Sequence, residues 1–257
     1  MSLVVVGQAK SGGSTTTAVA LAASWPRDVL LVEADPSGGD VAARAGLALV
    51  PGLVSLGAAA RGEGLTGEAV LSHAQQLGGV VPVVVAPPGA GPARGALAAL
   101  EEQLAGTLGT LGSEDVIVDV GRIEPADGSP WLRAAGLVVL VARPDAAGVA
   151  HLAALLDWVS EAAVRVAVVM IGAQPYGPAE VADALGMEVA GALAFDPKGA
   201  AALGSGVVRG YLAERSPLRR SARTLAPLLA ARLAEPVLVE GGHRVATAAS
   251  NGKATDR

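Results

Sequence analysis

Cysteine is missing from all 257 residues. That excludes a disulfide framework, a thiolate metal site and a cysteine nucleophile. Aromatic side chains are nearly as scarce, with three Trp, two Tyr and one Phe, too few for the stacking platforms that hold single-stranded nucleic acid. Only 17% of residues are charged and the net charge is −5, so no global basic field draws the chain to DNA or RNA. No run reaches the roughly 18 consecutive apolar residues that a membrane span needs. The opening Met1-Ser2-Leu3-Val4-Val5-Val6-Gly7 has no basic segment ahead of its apolar run. The three histidines, His73, His151 and His243, lack metal-ligand spacing. The expectation is a soluble, cytoplasmic protein.

What the chain has in quantity is apolar residues, 51% of the total, which excludes a disordered or fibrous protein and calls for a large core. Val/Leu/Ile-rich runs recur at 3–6, 29–32, 80–85, 116–118, 137–141, 165–171 and 189–193. They are nearly continuous in hydrophobicity rather than alternating, as strands buried on both faces are. Ala-rich stretches with helical spacing, such as 15–24, 92–108, 146–160 and 178–185, lie between them. Alternating β and α segments predict an α/β fold of three layers, a doubly wound, mostly parallel sheet with helices on both faces. Residues 1–234 read as one such domain and residues 235–257, poor in large apolar side chains, as a flexible tail.

The first strand leads through Gly7-Gln8-Ala9-Lys10-Ser11-Gly12-Gly13-Ser14 to Thr15-Thr16-Thr17, which open an Ala-rich helix. A strand, a loop of small residues and a helix start make an anion site, because backbone N–H groups converge there and the helix dipole favours negative charge. A threonine hydroxyl in the first turn can reach a bound Mg²⁺. The phosphate-loop pattern G-x-x-x-x-G-K-[ST] fits in two registers, with either Thr16 or Ser14 at the metal hydroxyl. Neither register supplies the lysine that contacts the β- and γ-phosphates.

Lys10-Ser11-Gly12-Gly13-Ser14-Thr15-Thr16-Thr17 resembles the deviant loop K-G-G-x-G-K-T-T of the ParA/MinD group of P-loop ATPases, with Lys10 at the signature lysine. Ser11 and Ser14 replace glycines and Thr15 replaces the second lysine. Glu33-Ala34-Asp35-Pro36 is similar to the family's D-x-D-P, and residues 115–121 resemble its Walker B strand and the start of its second switch loop. The strand before Pro87, the pair Arg143-Pro144, and Phe195-Asp196-Pro197 followed by residues 200–203 fall in the family's order too. The resemblance implies ATP and Mg²⁺ as cofactors. Lys10, Ser11, Gly12, Gly13, Ser14, Thr15, Thr16 and Thr17 would hold the nucleotide. Thr16, Asp35 and Asp119 would lie on the metal side, with Asp35 orienting the attacking water. It also implies a homodimer that sandwiches the nucleotide, Lys10 reaching the partner's, and a further partner protein of unknown identity. Gln174 stands near the family's adenine-pocket Asn, and no amphipathic membrane helix closes the chain.

Residues 201–235 carry six arginines against two glutamates. Arg215, Arg219, Arg220 and Arg223 could therefore give weak, non-specific DNA contact, or be the solvated face of a helix whose Leu218, Leu225 and Leu229 point inward. The expected function is a nucleotide-dependent positioning or partitioning switch that binds ATP–Mg²⁺ weakly and hydrolyses it slowly or not at all. A pseudo-ATPase scaffold of the same fold is the alternative. A dinucleotide enzyme is more remote, with Glu33 as the ribose carboxylate.

Overall fold

The computed structural model describes residues 3–112, 114–125 and 129–235. The expected tail lies, from residue 236 onward, outside them. In chain order the elements are β1 (Leu3–Gln8), α1 (Ser14–Ala22), β2 (Val29–Glu33), α2 (Val41–Ala45), α3 (Leu53–Glu63), α4 (Gly67–Ser72), β3 (Gln75–Leu77) and β4 (Val81–Val84). Next come α5 (Ala90–Gly109), β5 (Asp115–Arg122), α6 (Pro130–Ala134), β6 (Leu137–Ala142), α7 (Ala146–Ala162) and β7 (Val166–Ile171). The chain continues with α8 (Pro178–Leu185), β8 (Val189–Leu193), α9 (Pro197–Gly204), α10 (Tyr211–Arg215) and α11 (Pro217–Ala234).

The strands form one sheet in the order β3-β4-β2-β5-β1-β6-β7-β8. All neighbours are parallel except β3 and β4, so the expected fold class holds. Alternate residues of one strand feed two separate cores. Leu3 and Val5 pack with α3, α5, α6, α7 and α8, whereas Val4 and Val6 pack with α1, α2, α9 and α11. Both faces are covered, which is why the strands read as unbroken apolar runs. The expectation missed β3, because Gln75-Gln76-Leu77 has no apolar signature. It is held as an edge by pairing with β4, and Gln75 Nε2 donates to the carbonyls of Ala48 and Pro51.

β1 runs between β5 and β6 at the centre of the sheet. Parallel strands there bring their C-terminal ends, and the loops that follow, to one edge, where ligands of open α/β sheets bind. The β1–β5 register slips between Val6 and Gly7, so that Val6 faces Asp119 while Gly7 faces Gly121. Such bulges bend a strand and re-aim its side chains.

The arginine-rich segment needs a correction. Leu218, Leu225 and Leu229 are buried as expected, but so is Arg219, 5% exposed. Its guanidinium donates to Ser24 Oγ at 2.6 Å and to the Val208 carbonyl at 3.3 Å, tying α11 to the end of α1. The helical spacing places residue 219 beside Leu218 on the inner face, so Arg219 cannot meet a DNA phosphate. Arg223 pairs with Glu214 at 3.5 Å and Arg232 with Glu188 at 3.0 Å. Removing Arg219 leaves the buried Val208 carbonyl without its donor and empties the buried space the side chain fills, which costs roughly 1–3 kcal/mol. Chemical denaturation of Arg219→Ala is expected to show a loss of about that size, against under about 0.5 kcal/mol for exposed Arg220→Ala.

Candidate functional site

The site begins at the C-terminal end of β2 and β5, where Glu33 and Asp119 are register partners. Both carboxylates are 2% exposed. Glu33 ends an apolar strand and reaches across the following loop: Oε1 accepts the amides of Asp40 and Val41 at 2.8 and 2.9 Å, and Oε2 the Ala86 amide at 3.1 Å. It thereby caps α2 and fastens residues 34–40 to the end of β4. With three backbone donors on it and almost no exposure, Glu33 has nothing left to offer a ribose, which removes the ground for the dinucleotide-enzyme alternative. Burial pushes its pKa up to about 7, with neighbouring Asp119 adding to the rise and the three amides opposing it.

Asp119 faces the start of α1. Its carboxylate accepts the Gly121 amide at 3.1 Å, and the nearby Thr15 and Ser14 hydroxyls favour its charged form. Burial pushes its pKa up to about 6, and the nearby Asp35 charge adds to the rise. The hydroxyls that act on Asp119 are those of Thr15 and Ser14. The helix starts at Ser14, so residues 14 and 15 face β5. Thr16, about 100° further round, lines two cavities beside Ala200.

Asp35 is fixed by its own turn, Oδ1 accepting the Ser37 amide at 2.7 Å. It sits against Gly121, whose φ is +64° and whose Cβ, were it present, would lie 2.0 Å from Asp35 Oδ2. Only glycine meets both demands. The loop after β5 thus starts directly against the loop that carries Asp35.

The loop after β1 lies on β6. A Cβ on Gly12 would come 2.5 Å from the Val141 carbonyl, so a glycine is needed for this approach. Ser11, which replaces a glycine of the pattern, takes φ +37°, a left-handed conformation that is costly for a residue with a Cβ. At the helix start the Gly13 and Ser14 amides both donate to Gln8 Oε1, at 2.6 and 3.3 Å. Gln8 was not among the expected site residues. Lys10 lies at the exposed rim, Nζ 3.4 Å from His151 Nε2.

Three cavities flank this loop, one of about 350 Å³ between Lys10, Ser11 and the start of α7. Of the other two, the first, of about 720 Å³, opens between Asp35-Pro36-Ser37, α5 and Trp131. The second, of about 250 Å³, runs from Gly12, Gly13, Thr16 and Thr17 to Ala194, Phe195 and Pro197. The Arg143 guanidinium stacks over the Phe195 ring at 5.2 Å and lines this second cavity. So does Thr17, 0% exposed, whose Oγ1 has no hydrogen-bond partner. Asp196 is engaged in structure: it caps α9 through the Gly199 amide at 2.9 Å and accepts Ser216 Oγ at 2.7 Å. Gln174 is exposed, and it does not line the second cavity.

No protein-family model matches the sequence, and neither does any curated protein. Solved structures do match the fold. A ParA family ATPase from Chlorobium tepidum superposes with a TM-score of 0.71 at 17% identity, covering 88% of this chain and 97% of its own. The septum site-determining protein MinD from Pyrococcus horikoshii, complexed with Mg-ADP, gives 0.62 at 15% identity, with 88% and 94% covered. The ATP complex of a variant of Cyanothece McdA gives 0.63 at 18% identity, with 88% and 95% covered. The chain has the ParA/MinD type of P-loop fold over nearly its whole described length.

The raised carboxylates set a pH dependence. Between their ordinary values of 4.5 and 3.8 and their folded values of about 7 and 6, the folded chain holds protons that the unfolded chain has lost. Stability is therefore greatest at the acid end of that window and falls as pH rises through 7. Thermal unfolding is expected to give a higher Tm at about pH 5 than at about pH 8, with a flatter profile in Glu33→Gln. A Tm that rises across this interval would contradict the burial argument.

Proposed function

We propose that this protein is a ParA/MinD-type positioning switch that takes Mg²⁺–nucleotide weakly and hydrolyses it slowly or not at all. The observation that carries this reading is the cluster of Asp119, Thr15, Ser14 and Asp35 at the foot of a helix-start N–H cradle, with Thr15 where the pattern has its phosphate-contacting lysine. Two buried or half-buried carboxylates beside hydroxyls are short of positive charge, which a divalent cation carried by phosphates would supply. Among the described residues no group of three or more His, Asp or Glu side chains that could hold a metal ion exists; in this reading the cation arrives with its nucleotide.

The residues fit such a ligand. The Gly13 and Ser14 amides are the donors that would hold phosphate oxygens, and the Thr15 hydroxyl with Asp119 and Asp35 would face the metal. When bound, Mg²⁺ supplies charge stabilisation at the phosphates. Asp35, locked by its turn against Gly121, would orient water. Lys10, at the rim and outside the cradle, suits contact with a second subunit's nucleotide. Without the lysine that strengthens its contacts in the transition state, turnover would fall by a factor on the order of 10²–10³. Partner recruitment by the nucleotide-bound dimer completes the reading.

Calorimetric titration of ATP is expected to show Mg²⁺-dependent binding in the micromolar to millimolar range. Chelation of the metal, Thr15→Ala or Asp119→Asn would each weaken it by about tenfold or more, or roughly 1.4 kcal/mol. Light scattering would show the dimer only with nucleotide. The Gln8 contact favours a second reading, a pseudo-ATPase scaffold whose cradle is filled from within. No heat at millimolar ATP, with an oligomeric state indifferent to nucleotide, would select it over the switch.

A further inference from the structure

The Gln8 contact has a clear origin in the sheet. Alternation along β1 sends Val4 and Val6 toward α1, and the next side chain on that face is Gln8. Its backbone is held on both sides, in register with Arg122 of β5 and Val141 of β6, with its carbonyl accepting the Ile123 amide at 2.9 Å. The side chain is thereby delivered beneath the loop. The first turn of α1 contains no acidic residue, and Gly13 brings no side-chain cap. A helix start leaves its first amides without intrahelical partners, and here Gln8 Oε1 accepts two of them. The adjoining cavity keeps a fully buried hydroxyl, that of Thr17, without a partner, so the ligand-facing side is not closed by the fold itself.

We propose that Gln8 is a resident stand-in for a phosphate oxygen, holding the loop in its cradle shape and leaving when a phosphate group enters. The proposal takes the loop to be a phosphate site, as above, and adds its regulation: binding is a competition between the amide oxygen of Gln8 and an oxyanion for the Gly13 and Ser14 amides. A neutral amide is a weaker acceptor than an anion at a helix N-terminus, so phosphate can displace it. Water, neutral and untethered, gains no such advantage over it. A carboxylate in its place would lock the cradle.

Thermal unfolding of the full chain, wild type, Gln8→Ala and Gln8→Glu, with and without millimolar pyrophosphate and against chloride of matched ionic strength, tests this. Gln8→Ala is expected to lower Tm and to recover part of the loss in pyrophosphate, with a larger shift than wild type shows. Gln8→Glu is expected to raise Tm and to lose any response. The Gln8→Glu arm keeps the test valid if Gln8→Ala fails to fold. Wild-type Tm and wild-type pyrophosphate response in both variants would overturn the proposal. A response gained by Gln8→Ala supports it even if the wild type never takes Mg²⁺–ATP, an outcome that would defeat only the functional reading.

Discussion

Two buried carboxylates standing side by side at the ends of β2 and β5 are the constraint around which this edge of the sheet is organised. An ionised carboxylate removed from water is costly unless donors surround it, and the chain supplies them from three directions. Glu33 takes amides from the start of α2 and from the end of β4. Asp119 takes the Gly121 amide, and the first hydroxyls of α1 favour its charge. The loop carrying Asp35, the turn at Gly121 and the start of α1 are thereby fixed relative to one another. The positions of the loops follow from satisfying those two groups.

That arrangement divides the proposed nucleotide site into two unequal halves. The half that would face a metal is built from strand ends and a helix start, positioned by the buried carboxylates. The half that faces phosphate has amide donors but no cation, and its donors are held by Gln8. A site of this kind favours occupancy that depends on the metal and gives little help to phosphoryl transfer.

Much of this is legible in the sequence, for identifiable reasons. Strands buried on both faces leave continuous apolar runs, as 137–141 does within β6, and the segment 178–185 coincides with α8. The loop after β1 and the acidic strand ends announce themselves by small residues and by Asp or Glu closing a Val-rich run. What stays hidden depends on register and distance. The partners of Glu33 lie seven, eight and fifty-three residues away, so a capping role cannot be told from a ligand role. Thr15 and Thr16 differ only by the residue at which the helix starts. Gln8 looks like an ordinary polar strand end until β1 alternation is combined with the fold of the loop. Arg219, surrounded in sequence by exposed arginines, is buried by its phase on α11. β3 is held by pairing, with no pattern of its own.

The central claim is that the Gly13 and Ser14 amides are the phosphate donors and exchange Gln8 for the ligand. The most direct measurement is the amide and side-chain NMR spectrum of the labelled protein during titration with Mg²⁺–ATP. The account predicts that the Gly13 and Ser14 amide resonances and the Gln8 side-chain amide move together, along one saturation curve. Saturation with those three unmoved, while resonances elsewhere shift, would contradict it.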